Sequence, residues 1–204
     1  MKIQTRKNTF ERKKEIVDAV LRIIGERGLT SLSTRTIAEE VGVTTGALFR
    51  HFPSLEEIFR EVTRYAILQI EETFPNESMS PLERIKLLAK NRITLLNSCN
   101  GLAWLLKSEQ AFLTLPKDSV ESLQSMMRQS KRFLLKSIKD GINEGSIRND
   151  IDPEVLIVPI MGTIHSMMVL PGMKNGSHKK QLTEINKVLN GLEIMISKIS
   201  SNYK

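Results

Sequence analysis

Between Ser33 and Phe52 the chain gathers side chains suited to reading a nucleic-acid duplex. Arg35 carries a planar guanidinium, which can take guanine O6 and N7 in a two-bond fork. Its rival partner is Glu39, one helical turn on and therefore on the same face. Thr44, Thr45, Gly46 and Ala47 open a short helical stretch. Residues this small let a backbone come close to base edges. Thr45 can hydrogen-bond a base or a phosphate, and Ala47 can meet a thymine methyl. Arg50 and His51 follow a turn later. His51 suits a phosphate contact and packing against the next helix equally well.

Other chemistry finds few residues. The three histidines, His51, His165 and His178, have no metal-ligand spacing, and the single cysteine, Cys99, has no histidine to activate it. No nucleophile elbow, phosphate-binding glycine loop or dinucleotide fingerprint is present. The expectation is a chain without enzymatic activity, metal or cofactor. With one cysteine no internal disulfide can form, and no charged segment leads into an apolar leader, so a reducing cytoplasm is expected.

The elements that must position these residues are legible from their starts and stops. Ile16, Val17, Val20, Ile23 and Ile24 mark a helix over about 9–27. Ser33 caps a second helix carrying Ile37, Ala38 and Val41, and Gly42 ends it, because glycine takes a left-handed backbone cheaply. Val43 plugs the turn, and Thr44 caps a third helix with Leu48, Phe49 and Phe52. Two short helices around a glycine turn form helix-turn-helix grammar, with the second helix meant for the major groove. Ser54 with Glu57 reads as a capping box opening a helix to about Glu72. Ser80, Pro81 and Glu83 start another, which runs to about Ser98 before Asn100-Gly101 ends it. Leu102, Trp104, Leu105, Leu106 and Phe112 share one helix, and a long one runs from Pro116 to near Gly145. Asp152-Pro153-Glu154 starts the next, Pro171–His178 is a loop, and Leu182 to Ile199 forms the last. No run alternates as a half-buried strand would. The reading is all-α with about nine helices: a three-helix head over 1–54, motif about 33–52, and a larger body over 55–204.

The pattern Arg35-x-Ile37-Ala38-x-x-x-Gly42-Val43-x-x-Gly46-x-Leu48-Phe49-x-His51-Phe52-Pro53-Ser54-x-Glu56-Glu57 resembles the DNA-binding domain of TetR-type bacterial transcription regulators. The resemblance implies DNA contacts from Thr34, Arg35, Thr44, Thr45, Gly46, Ala47, Phe49, Arg50 and His51. Two positions depart from the pattern. Phe49 stands where the family usually has tyrosine, and Leu55 where it usually has lysine; each removes a phosphate-contacting group. The resemblance further implies a homodimeric, ligand-responsive regulator, most simply a repressor on a pseudopalindromic operator. An adaptor or small-molecule-binding protein that kept the fold but reads DNA weakly is the alternative.

Charge agrees with a polyanionic partner. The formal net charge is +7, and Lys2, Arg6, Lys7, Arg12, Lys13 and Lys14 stand against Glu11 alone at the N-terminus. In the body, Trp104, Phe112, Met126, Met127, Met161, His165, Met167 and Met168 are candidates for a cavity that takes a small apolar or amphipathic effector; the alternative is ordinary core. The last two helices read as a dimer surface, with Gly162, Met168, Leu189, Leu192, Met195 and Ile196 as its candidates. Val155–Met173 lacks charge, but Pro159, Thr163, His165, Ser166 and Pro171 favour a buried interface helix over a membrane span.

Overall fold

A computed structural model describes residues 8–168 and 177–198. Lys2, Arg6, Lys7, the loop residues 169–176 and the side chain of His178 lie outside that description. Among the described residues ten α-helices follow one another: α1 Thr9–Arg27, α2 Thr34–Val41, α3 Thr45–Phe49, α4 Leu55–Glu71, α5 Pro81–Ser98, α6 Asn100–Lys107, α7 Glu109–Thr114, α8 Lys117–Glu144, α9 Pro153–Met167 and α10 His178–Ile196. A single 3₁₀ turn, Leu29–Ser31, joins α1 to α2. The described residues hold no strand beyond one isolated bridge between Ile147 and Ser197, so the chain is all-α. Among these residues no helix is long and apolar enough to cross a membrane.

The chain divides into two compact units. The first comprises residues up to Leu68 with Cys99–Gln124; the second comprises Gln69–Ser98 and residues from Ser125 onward. In the first, α1 begins with a reciprocal cap: Asn8 Oδ1 accepts from Glu11 N–H at 2.8 Å, and Asn8 N–H donates to Glu11 at 3.1 Å. The buried stripe Ile16, Val17, Val20, Ile23 and Ile24 faces the small core that α2 joins with Ile37 and Ala38. At the expected site Ser54 Oγ accepts from Glu57 N–H at 3.2 Å, but Glu57's carboxylate accepts from Arg60 at 2.6 Å instead of completing the box.

Two segments differ from the sequence reading. α5 ends at Ser98 as expected, but Asn100-Gly101 is no stop segment between helices; it forms the first turn of α6. The reason is tertiary, because Gly101 lies directly on the backbone of α1 at Leu21, where a side chain has no room. The helix expected across Leu102–Phe112 is broken at Ser108, whose extended backbone (φ −86°, ψ 120°) separates α6 from α7. The residue types around Ser108 do not signal that break.

The second unit has a broader core. α5 supplies Ile85, Leu88, Ala89 and Ile93, α8 supplies Leu134 and Ile138, and α9 supplies Leu156, Ile157, Ile160, Ile164 and Met167. α10 closes it with Ile185, Leu189, Leu192 and Ile196. Arg148 N–H donates to Ile196 O, and Lys198 N–H to Ser146 O, each at 3.0 Å, pinning the end of α10 to the α8–α9 connection.

Candidate nucleic-acid interface

The helix-turn-helix is built by local chemistry that leaves one edge free. Ser33 accepts from Thr36 N–H at 3.1 Å while Thr36 Oγ1 accepts from Ser33 N–H at 2.9 Å, so α2 has a definite first turn. Gly42 sits in the left-handed region (φ 72°). Val43 N–H then returns to Ala38 O at 2.9 Å, which turns the chain sharply. Thr44 Oγ1 accepts from Ala47 N–H at 3.1 Å. That bond commits the hydroxyl to capping α3, so Thr44 is positioned by the turn as much as for a partner.

Beyond the cap, Thr45 and Gly46 are exposed and Ala47 is half-buried. A Cβ on Gly46 would meet only Thr44 Oγ1, at 4.0 Å, so this edge of α3 is open. Leu48 and Phe52 anchor the opposite face in the core. Phe49 is 44 % exposed, an apolar ring held at the surface beside the exposed Arg50. His51 is half-buried, with Nδ1 out of contact with solvent and without a hydrogen-bond partner. Thr34 is half-buried at the start of α2.

Arg35 projects from the first turn of α2, and its Nε donates to Glu39 at 2.9 Å. The hydrogen bond to Glu39, then its charge, raise the guanidinium's pKa. Both side chains are well exposed, so the pair is weak and a phosphate or guanine competes for Arg35 readily. Glu40, on the other side of α2, is engaged by α1: Arg22 reaches it at 2.6 Å and Arg27 at 2.7 Å. The hydrogen bond from Arg22, with help from Arg27, holds its carboxyl below the ordinary range. Lys13 lies 5.0 Å from the Phe52 ring centroid and Arg12 pairs with Glu15 at 2.9 Å. Two of the described basic residues of the N-terminal run are thus engaged within the first unit, while Lys14 is exposed.

Residues 16–62 match the model of the bacterial regulatory proteins of the tetR family, and this match frames the helix-turn-helix. Over that segment the chain is similar to the tetR family. The chain is 24% identical over 149 residues to the transcriptional repressor KstR2 of Mycobacterium tuberculosis, covering 71% of this chain and 74% of that one. Solved structures share its fold. The ketosteroid transcriptional regulator KstR2 of M. tuberculosis superposes with a TM-score of 0.79 at 22% identity, over 97% of this chain and 100% of that one. AibR in complex with isovaleryl coenzyme A and operator DNA gives 0.73 at 19% identity, over 91% and 97%. The regulator FadR from Bacillus subtilis in complex with stearoyl-CoA gives 0.63 at 22% identity, over 92% and 99%.

The other candidate residues fall in different places. Trp104 and Phe112 are half-buried in the first unit. Met126 and Met168 are buried in the second, Met161 is half-buried against its core, and Met127 and His165 are exposed. Of the residues expected on a dimer surface, Leu189, Leu192 and Ile196 are taken up by the second unit's own core, and Met168 is buried too. Gly162 and Met195 are at the surface. They share it with Val155, Val158 and Ile194, which sequence reasoning did not single out; Val158 is 67 % and Ile194 78 % exposed. The sequence also carried an unused signal in α5: Arg92 interrupts an otherwise apolar stripe of Ile85, Leu88, Ala89, Ile93 and Leu96.

Proposed function

We propose that this protein is a homodimeric transcriptional repressor. It holds a pseudopalindromic operator and releases it when a small apolar or amphipathic effector binds. The observation that carries this reading is the open leading edge of α3, set behind the left-handed turn at Gly42 in the segment that matches the family. In this reading residues 1–54 serve DNA binding and 55–204 serve effector binding and dimerisation. Arg35 leaves Glu39 for a base, Thr45, Gly46 and Ala47 meet base edges, and Thr34, Thr44, Phe49, Arg50 and His51 meet the strand backbone.

The exposed apolar residues of α9 and α10 support dimerisation. Val155, Val158, Ile194 and Met195 are large and uncovered in the single chain, and a Cβ on Gly162 or Gly191 would meet nothing within 4 Å. Two copies of this surface joined about a twofold axis would bury them and present two heads to successive major grooves. The effector class is supported by the coenzyme A thioesters held by AibR and FadR, each an apolar acyl group on an anionic carrier. Buried Met126 and Met168 and half-buried Met161 suit an adaptable apolar lining. To release DNA the effector must prefer one state, and a coupling of ~1–3 kcal/mol is typical.

Selection of the full chain against a random duplex pool at physiological salt, followed by footprinting of the enriched sequences, tests this. The expected result is two inverted half-sites spaced by about one or two helical turns. Failure to enrich any sequence would favour the adaptor reading, to which Phe49 and Leu55 already lean.

A further inference from the structure

Two arginines of α5 are buried, and the fold treats them differently. Arg84 is 4 % exposed and donates to Asp140 at 2.8 Å. Arg92, two turns on, is 8 % exposed. Its Nε donates to Thr73 Oγ1 at 3.0 Å, and its guanidinium carbon stands 5.6 Å from the Phe74 ring centroid. The Thr73 hydroxyl donates its own proton to Ile70 O at 2.5 Å, which fixes it as an acceptor for Arg92. Among the described residues no carboxylate pairs with Arg92, and its buried Nη2 has no hydrogen-bond partner. Burial alone lowers its pKa, to about 10, which leaves it charged at neutral pH. A buried cation without counter-charge is costly, and a supplied anion removes much of that cost.

Phe74 joins this cation to a cleft. Its ring lines a space of about 320 Å³ together with Pro75, Gln129, Arg132, Phe133 and Lys136. Phe74 and Phe133 meet edge to face with centroids 5.1 Å apart, so part of the lining is aromatic. Arg132 and Lys136 bring positive charge to the lining, and Glu77, which also lines the cleft, is paired with Lys136 and leaves Arg132 as the excess charge. Cleft, ring and buried guanidinium all belong to the second unit.

We infer that Arg92 is the counter-charge for the oxyanion group of an amphipathic effector whose apolar part occupies the Phe74–Phe133 cleft. The inference rests on the proposed effector-binding role of this unit and names the chemistry it recognises. A guanidinium accepts a carboxylate or a phosphate in the same fork. Phe74, whose ring touches both cleft and cation, must turn to admit the group.

The test uses the full chain without DNA, with octanoate, octanoyl-CoA and octanol as probes, read by thermal unfolding and by calorimetric titration. At least one anionic probe should raise the melting temperature, and octanol at the same concentration should not. A response to octanoate alone assigns a carboxylate, and one to octanoyl-CoA alone assigns the carrier's phosphates. Arg92→Met keeps the volume and removes the charge; it should weaken anion binding about ten-fold or more, with Arg92→Lys intermediate. Without probe, Arg92→Met should melt no lower than the wild type, since it removes an unpaired buried cation. The inference fails if neither anion binds, if octanol binds as well as the anions, or if Arg92→Met binds them like the wild type. It also fails if Arg92→Met lowers the probe-free melting temperature and Arg92→Lys restores it, which would make the residue structural. Because DNA is absent, loss of this site and loss of operator recognition are separate outcomes.

Discussion

Gly101→Ala tests the tightest contact in the first unit. A Cβ at Gly101 would stand 2.1 Å from the Leu21 carbonyl oxygen, 2.7 Å from its carbonyl carbon and 2.8 Å from its Cα. All three atoms are backbone, so no side chain can rotate away. Ordinary contact begins at 3.4 Å, so α6 must retreat from α1 by roughly an ångström. Overpacking of this kind costs ~1–3 kcal/mol, and a main-chain obstacle belongs at the upper end. The better helix propensity of alanine offsets less than ~1 kcal/mol, because Gly101 lies in the first turn of α6. A net loss of ~2 kcal/mol lowers the melting temperature of a chain this long by about 4–8 °C. The single tryptophan, Trp104, lies on α6 less than a turn away, so its fluorescence reports this crossing during thermal or urea unfolding. Gly46→Ala is the matched control: the same methyl is added to an exposed helical position with nothing closer than 4.0 Å, and stability should hold or rise. If Gly101→Ala melts within a degree of Gly46→Ala, the backbone contact between α1 and α6 is refuted.

Three further outcomes are expected. Leu55→Lys places an ammonium at the first residue of α4; it should tighten operator and scrambled DNA alike and steepen the log affinity against log salt slope by about one charge, whereas an unchanged slope places residue 55 away from phosphate. Arg35→Ala should reduce discrimination between operator and mutated operator by about ten-fold while leaving the melting temperature unchanged, because its bond to Glu39 is solvent-exposed; equal losses on both duplexes would make Arg35 a phosphate contact. Val158→Asp combined with Ile194→Asp should yield folded monomers in sedimentation and abolish operator binding, since both side chains are uncovered in the single chain; an unchanged dimer would move the interface elsewhere.

The helix-turn-helix was more legible than the later helices, and particular residues show why. Ser33, Thr44, Ser54 and Asp152 cap helices through bonds that reach no further than the next turn, so their residue types announce them. Gly42 needs a positive φ, and that demand is local too. Asn100-Gly101 carried the same local stop signal and α5 does end at Ser98, yet the pair itself opens α6, because Gly101 serves the approach of α1, whose Leu21 lies far away in sequence. Leu189, Leu192, Met195 and Ile196 look alike on a helical wheel's apolar side, yet only Met195 stays exposed. Their spacing marked a broad apolar face without stating which part the chain would cover with its own α5 and α9.

The sequence by itself determined the helical class, most helix boundaries and the helix-turn-helix, because caps, glycine turns and a periodic apolar stripe act within a few residues. Only the tertiary structure decided that α6 lies on α1, that Arg84 finds Asp140 while Arg92 finds no carboxylate among the described residues, and that Val158 and Ile194 remain uncovered. Each of those outcomes depends on which helix face meets which neighbour. Periodicity shows that a face is apolar, but its partner is chosen by packing between residues distant in the chain.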